Sequence, residues 1–93
     1  MEVLPHELQN SLMLLEVRLM MQLNLFHRIF RGSAAMEATD MIERCIDWIQ
    51  DELKQCAMFG PIVEPDIVCG VIAVGAVSSC LDDIIMQHRK WIK

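Results

Sequence analysis

The chain has no tyrosine, and its 93 residues include only three phenylalanines, two tryptophans, four glycines and three prolines. Scarce aromatics argue against the stacking platforms that read single-stranded nucleic acid, and scarce glycine and proline argue against a turn-rich β protein. Basic residues are few as well: eight Lys and Arg stand against thirteen Asp and Glu, for a formal charge of −5. Phosphate backbones are bound by neutralising them, so no nucleic acid is expected as a partner. The acidity is local. Residues 33–60 carry six acids and two bases, whereas residues 1–32 balance at three of each.

Motifs that carry chemistry are also missing. There is no CxxC and no closely spaced Cys/His pair, so four ligands have no evident way to converge on a metal. His6, His27 and His88 lie far apart, and the glycines form no phosphate-binding loop. The close acid pairs on helical segments, Asp82-Asp83 and Glu43/Asp47, lack companion histidines and read as solvated faces. No catalytic residue, metal or cofactor is assigned, and an enzyme is not expected.

The opening Met1-Glu2-Val3-Leu4-Pro5-His6-Glu7 is acidic where a signal peptide needs a basic lead and an apolar run, so a cytoplasmic location is expected. The longest uncharged stretch, Ile67 to Leu81, has 15 residues between Asp66 and Asp82, short of the roughly 20 that span a bilayer. It reads as a buried core helix, and no membrane partner is expected.

What is present in quantity is apolar side chain, 54% of the sequence without counting glycine, above the roughly 45–50% usual with glycine included. A chain this short supports one domain, whose small volume cannot hide all of it. Surplus apolar surface is therefore expected to face another protein.

Periodicity predicts an all-α fold, a small up-down-up bundle of three long helices over about 5–31, 34–58 and 65–92 in a single domain, completed by dimerisation. In the first, Leu8, Leu12, Leu15, Leu19, Leu23, Phe26 and Phe30 recur at steps of three and four and set one core stripe. A second row, Met13, Val17, Met20, Met21 and Ile29 with Leu14 and Leu25 nearby, leaves a thin wet edge that includes Arg18 and Gln22. One neighbouring helix cannot cover both rows. Pro5 fits the first turn, Gly32 fits the left-handed residue beyond the end, and Ser33 reads as the N-cap of the second helix.

The second helix has one stripe, Ile42, Cys45, Ile46, Ile49, Leu53, Cys56 and Ala57, and an Asp40/Arg44 pair at the favourable spacing. It ends at Gly60-Pro61. The third, opened by Pro65-Asp66, is apolar all round from Ile67 to Leu81, which places it inside the bundle or at a subunit interface. Its small residues Cys69, Ala73, Ala76 and Cys80, with Gly70 and Gly75 beside them, allow close approach of another backbone.

The cysteines at 45, 56, 69 and 80 form two pairs eleven residues apart, each on one helical face. Folding the second and third helices into a hairpin about residue 62 or 63 would set Cys56 opposite Cys69 and Cys45 opposite Cys80. In spacing this resembles the twin CX9C proteins of the mitochondrial intermembrane space. The apolar stripes around the cysteines favour free thiols along a helix–helix seam over a doubly stapled hairpin. The basic ends His27–Arg31 and His88–Lys93 should share one end of the array, beside Glu37 and Asp40. Eight methionines, including Met13, Met20, Met21, Met36, Met41 and Met58, fit either core filling or an adaptable binding surface.

The function expected is non-catalytic protein binding by a small homodimeric regulator that masks a surface of a partner, such as a transcriptional regulator. Leu14, Val17, Met20, Met21 and Phe26 of the first helix and Gly70, Ala73, Ala76 and Val77 of the third are the expected contact residues. The alternatives are a thiol- or disulfide-bearing hairpin module and a secretion-type chaperone.

Overall fold

The computed structural model of the chain describes residues 4–91, with side chains as far as Arg89. Three helices, α1 (Pro5–Ile29), α2 (Ser33–Phe59) and α3 (Pro65–Trp91), account for most of these residues, and no strand occurs among them. The fold is all-α. Prolines open α1 and α3, where a missing N–H breaks no intrahelical bond. Glu7 Oε2 accepts from the Leu4 N–H at 3.5 Å, closing half of a capping box.

Both breaks lie at glycines with positive φ. Gly60 (φ 82°) ends α2, its N–H donating to the Cys56 carbonyl at 2.9 Å. Gly32 (φ 105°) is itself the residue before α2, so Ser33 becomes the first helical residue and not the cap. The reason is steric: the turn from Phe30 into α2 needs a backbone conformation that L side chains rarely adopt.

The middle of the structure is α1, which packs along both α2 and α3, while α2 and α3 barely touch. Leu12, Leu19 and Phe26 of α1 meet Ile42, Ile46 and Ile49 of α2 and Val74 and Leu81 of α3 in one core cluster. Leu15, Leu23 and Phe30 pack around it, so the expected α1 stripe is the core stripe. The expected single stripe of α2 is likewise buried through Ile42, Ile46 and Ile49, and Arg44 Nη2 reaches Asp40 Oδ2 at 3.1 Å.

The helix expected inside the bundle or at a subunit interface is left largely open. Within Pro65–Arg89 an 18-residue window has a mean hydropathy of 1.8, long and apolar enough for a membrane span by composition, yet only 17% of that window is buried. Only the Val74, Ser78, Leu81 and Ile85 side is deeply covered, because α1 is its one substantial neighbour. The radius of gyration, 14.7 Å, exceeds the roughly 12 Å of a globular chain this long.

A polar seam fixes α3 against α1. Ser78 Oγ donates to Gln22 Oε1 at 2.8 Å, and Gln22 Nε2 donates to the Ser78 carbonyl at 3.0 Å and to Asp82 Oδ1 at 2.5 Å. Arg18 pairs with Asp82 from the next turn. Gln22 and Ser78 are buried, against the wet-edge reading of Gln22, because α3 docks on that flank of α1. Every polar atom of the pair has a partner, as burial requires.

The hydrogen bonds from Arg18 and then Gln22 hold the Asp82 carboxyl below the usual carboxylate range, outweighing partial desolvation. A depressed folded-state pKa adds stability that is complete above the unfolded value, near 3.9, and is lost as pH falls through the folded value. The ion pair itself is half-exposed and contributes at most about 1 kcal/mol. Asp82→Asn is therefore expected to destabilise by a constant small amount between about pH 5 and 8, with the gap closing below about pH 4. Urea unfolding of both proteins across that range measures it; a gap that widens on acidification would contradict the assignment.

Candidate functional site

No cluster of His, Cys, Asp and Glu arranged to hold a metal occurs among the described residues. The feature that stands out is exposed apolar surface. On α1, Leu14 (71% exposed), Val17 (56%) and Met21 (68%) form a ridge at steps of three and four on the side turned away from the core. Met13 and Met20 are also exposed on its α2 side. Two neighbouring helices cover the Leu12–Leu19–Phe26 side of α1, and among the described residues no third element reaches the ridge.

The α3 face opposite its α1 contact is exposed at Cys69, Ile72, Ala73, Ala76 and Cys80. Of the nine contact residues expected from the sequence, Leu14, Val17, Met20, Met21, Ala73 and Ala76 are thus on the surface. Phe26 is not: it is a core residue, with its ring 4.5 Å from that of Phe30. The helical position of Phe26 puts it in line with Leu12 and Leu19, and that row faces inward. Val77 packs partly against the core, and Gly70 lies beneath the Trp48 ring of the same chain.

That Trp48–Gly70 contact sets the meeting of α2 and α3. A Cβ at Gly70 would fall 2.3 Å from Trp48 Cζ2, so the indole occupies space that only glycine leaves free. The expected hairpin register would have set Gly70 near Gln55, about two helical turns away. The cysteine seam goes with it. All four thiols are free; Cys45 and Cys56 are half-buried, and Cys69 and Cys80 are exposed. Burial pushes the Cys45 thiol up in pKa, which makes it a poor nucleophile.

Seven methionines are described, and six of them, Met13, Met20, Met21, Met36, Met41 and Met58, are those singled out in the sequence; with Met86, all are exposed. None fills the core. The sequence reading missed Ile72, Ile84 and Met86 as surface, along with Phe59 and Ile62 beside the Gly60 break. The one available signal was the surplus of apolar residues over two-helix burial capacity, which gives an amount without a location.

The basic ends do adjoin: the Phe30 and His88 rings are 4.9 Å apart. The acidic start of α2 shares this end, with His27, Glu37, Asp40 and Glu43 lining one shallow hollow. Asp40 is paired with Arg44 of its own helix. Residues 92 and 93 of the predicted basic edge lie outside the described residues, as do the side chains of Lys90 and Trp91.

The total accessible surface is 6844 Å² for 10.7 kDa, whereas a globular monomer of that mass exposes about 5,500 Å². The excess is roughly 1,300 Å². One partner in a standard-size interface contributes about 800 Å². Comparison with protein-family models, with curated proteins and with solved structures finds no match.

Proposed function

We propose that this chain is a non-catalytic protein-interaction module, a small homodimeric regulator that binds and masks an apolar surface, such as a helix, of a partner protein. The observation that carries the reading is the Leu14–Val17–Met21 ridge: three large apolar side chains, in helical register, on the outer side of the central helix. Exposed apolar patches of this kind mark interaction sites in folded proteins. Helix-in-groove and helix-on-helix recognition both use anchors at this spacing. The methionines flanking the ridge, Met13 and Met20, suit a surface that adapts to its partner. A transcriptional regulator or a secreted protein awaiting export is the kind of partner such a surface would mask.

The test is Val17→Glu. The position is exposed, so helicity and melting should stay within about 0.5 kcal/mol of wild type. Wild-type protein expressed at native level in its host is expected to co-purify with a partner in stoichiometric amount, and Val17→Glu is expected to lose at least tenfold of it. Equal recovery with both proteins would overturn the reading. A second reading, a redox or structural hairpin, is disfavoured by the separation of α2 from α3 and by the outward placement of Cys69 and Cys80.

A further inference from the structure

The core and the surface of this protein are built from chemically different apolar side chains. The ten deeply buried hydrophobic residues are leucine, isoleucine, valine and phenylalanine. The seven described methionines are all exposed, by between 50% and 72%. Methionine differs from the core residues in having a thioether sulfur, which oxidation converts to a polar sulfoxide. Sulfoxidation disrupts cores and methionine-rich interfaces alike. Here the described core holds no methionine, so the surface takes the change and the packing of the helices does not.

Three of the seven belong to the interaction face of α1. Met21 is the third member of the Leu14–Val17–Met21 ridge and is 68% exposed, and Met13 and Met20 flank it at 50%. Met21 also lines, with Leu25 and with Met86 of α3, the hollow where α1 and α3 meet. Met36, Met41 and Met58 belong to α2 and not to the ridge. A sulfoxide at Met21 places a hydrogen-bonding oxygen on a surface that a partner covers with apolar groups, and a polar atom buried without a hydrogen bond costs affinity.

We infer that Met21, with Met13 and Met20 beside it, is a site of reversible oxidation by hydrogen peroxide that releases the partner from the α1 ridge while the chain stays folded. This rests on the interaction-module reading and adds a control to the same face. In the step, the thioether sulfur attacks one peroxide oxygen: an S–O bond forms as the O–O bond breaks, and the proton on the transferred oxygen passes to the departing hydroxide, which leaves as water. The sulfur is oxidised by two electrons and the peroxide is reduced by two. Methionine sulfoxide reductases reverse the change. The four free thiols meet the same oxidant, and Cys69 and Cys80 are exposed. Their sulfenic and disulfide products are returned to thiols by dithiothreitol, so a dithiothreitol wash separates the two chemistries.

The experiment treats the complex recovered from the host with dilute hydrogen peroxide, then with dithiothreitol, and follows release by size exclusion while peptide masses locate the added oxygen. Wild type is expected to gain oxygen at residues 13, 20 and 21, to keep its helicity, and to hold its partner at least tenfold more weakly until a methionine sulfoxide reductase is added. Leucine is close to methionine in volume and apolarity and carries no sulfur, so Met13→Leu/Met20→Leu/Met21→Leu should bind normally and resist peroxide. Met36→Leu/Met41→Leu/Met58→Leu should respond as wild type does. Met21→Gln, a polar replacement at an exposed position, should weaken binding without any oxidant.

A wild-type complex that survives full oxidation of Met21 overturns the inference, as does equal release from the α1 leucine variant. Binding restored by dithiothreitol alone would assign the effect to the thiols and also overturns it. Loss of helicity on oxidation overturns the claim that the fold is spared. Each of these leaves the ridge standing as the partner site, whereas undiminished partner recovery with Val17→Glu removes the ridge reading and this inference together.

Discussion

Replacing Leu19 by alanine is expected to lower the stability of this protein by about 3 kcal/mol, the middle of the range for deleting a fully buried leucine side chain. Leu19 is 0% exposed and sits in the core cluster that joins all three helices. Its loss removes transfer free energy and leaves a cavity where the walls are helices held at fixed spacing. A chain of this size has about 5–14 kcal/mol in total, so about a fifth or more is at stake. Its melting temperature should fall by more than about 10 °C. Leu14→Ala on the same helix is the control, since that side chain is mostly exposed and its removal should change stability by less than about 0.5 kcal/mol. Calorimetry at one fixed protein concentration measures both, because association would otherwise add a concentration-dependent contribution. Equal effects at the two positions would mean that α1 presents a different face to the core.

The second large effect sets two glycines of one helix against each other. Alanine generally gains up to about 1 kcal/mol over glycine in a helix interior. At Gly75 nothing lies within 4 Å of the added Cβ, so Gly75→Ala should stabilise by about that amount. At Gly70 the same methyl would fall 2.3 Å and 2.4 Å from two carbons of the Trp48 ring. The ring must leave or the helices must part, and overpacking of this kind costs about 1–3 kcal/mol. Gly70→Ala is therefore expected to be net destabilising and to shift Trp48 emission to the red as its indole meets water. A Trp91→Phe background isolates the Trp48 signal. If both glycine variants were stabilised alike, Trp48 would not lie against α3.

The helices themselves were legible because their signals are local. Pro5, Gly32, Gly60-Pro61 and Pro65 mark the breaks through backbone conformations that depend on one or two residues. The Leu8–Leu12–Leu19–Phe26 row and the Ile42–Ile46–Ile49 row follow from a 3.6-residue period. Where a row was misread, two rows competed for one label. Phe26 belongs to the expected core stripe and also stands among the expected contact residues; at 5% exposure it serves the core alone, and the apolar character of both rows of α1 does not separate the two roles.

The sequence by itself thus determined three helices of known extent, their inward stripes and the existence of an apolar excess. The tertiary structure decided which flank of α1 receives α3, and with it the burial of Gln22 against Ser78 and the pairing of Arg18 with Asp82. It also decided that α3 lies open at the edge of the array, where its composition points to the interior or to a subunit interface. The physical reason is range. Period, caps and breaks are set by neighbours within a turn, whereas the choice of flank depends on residues about sixty apart that meet only when the core closes.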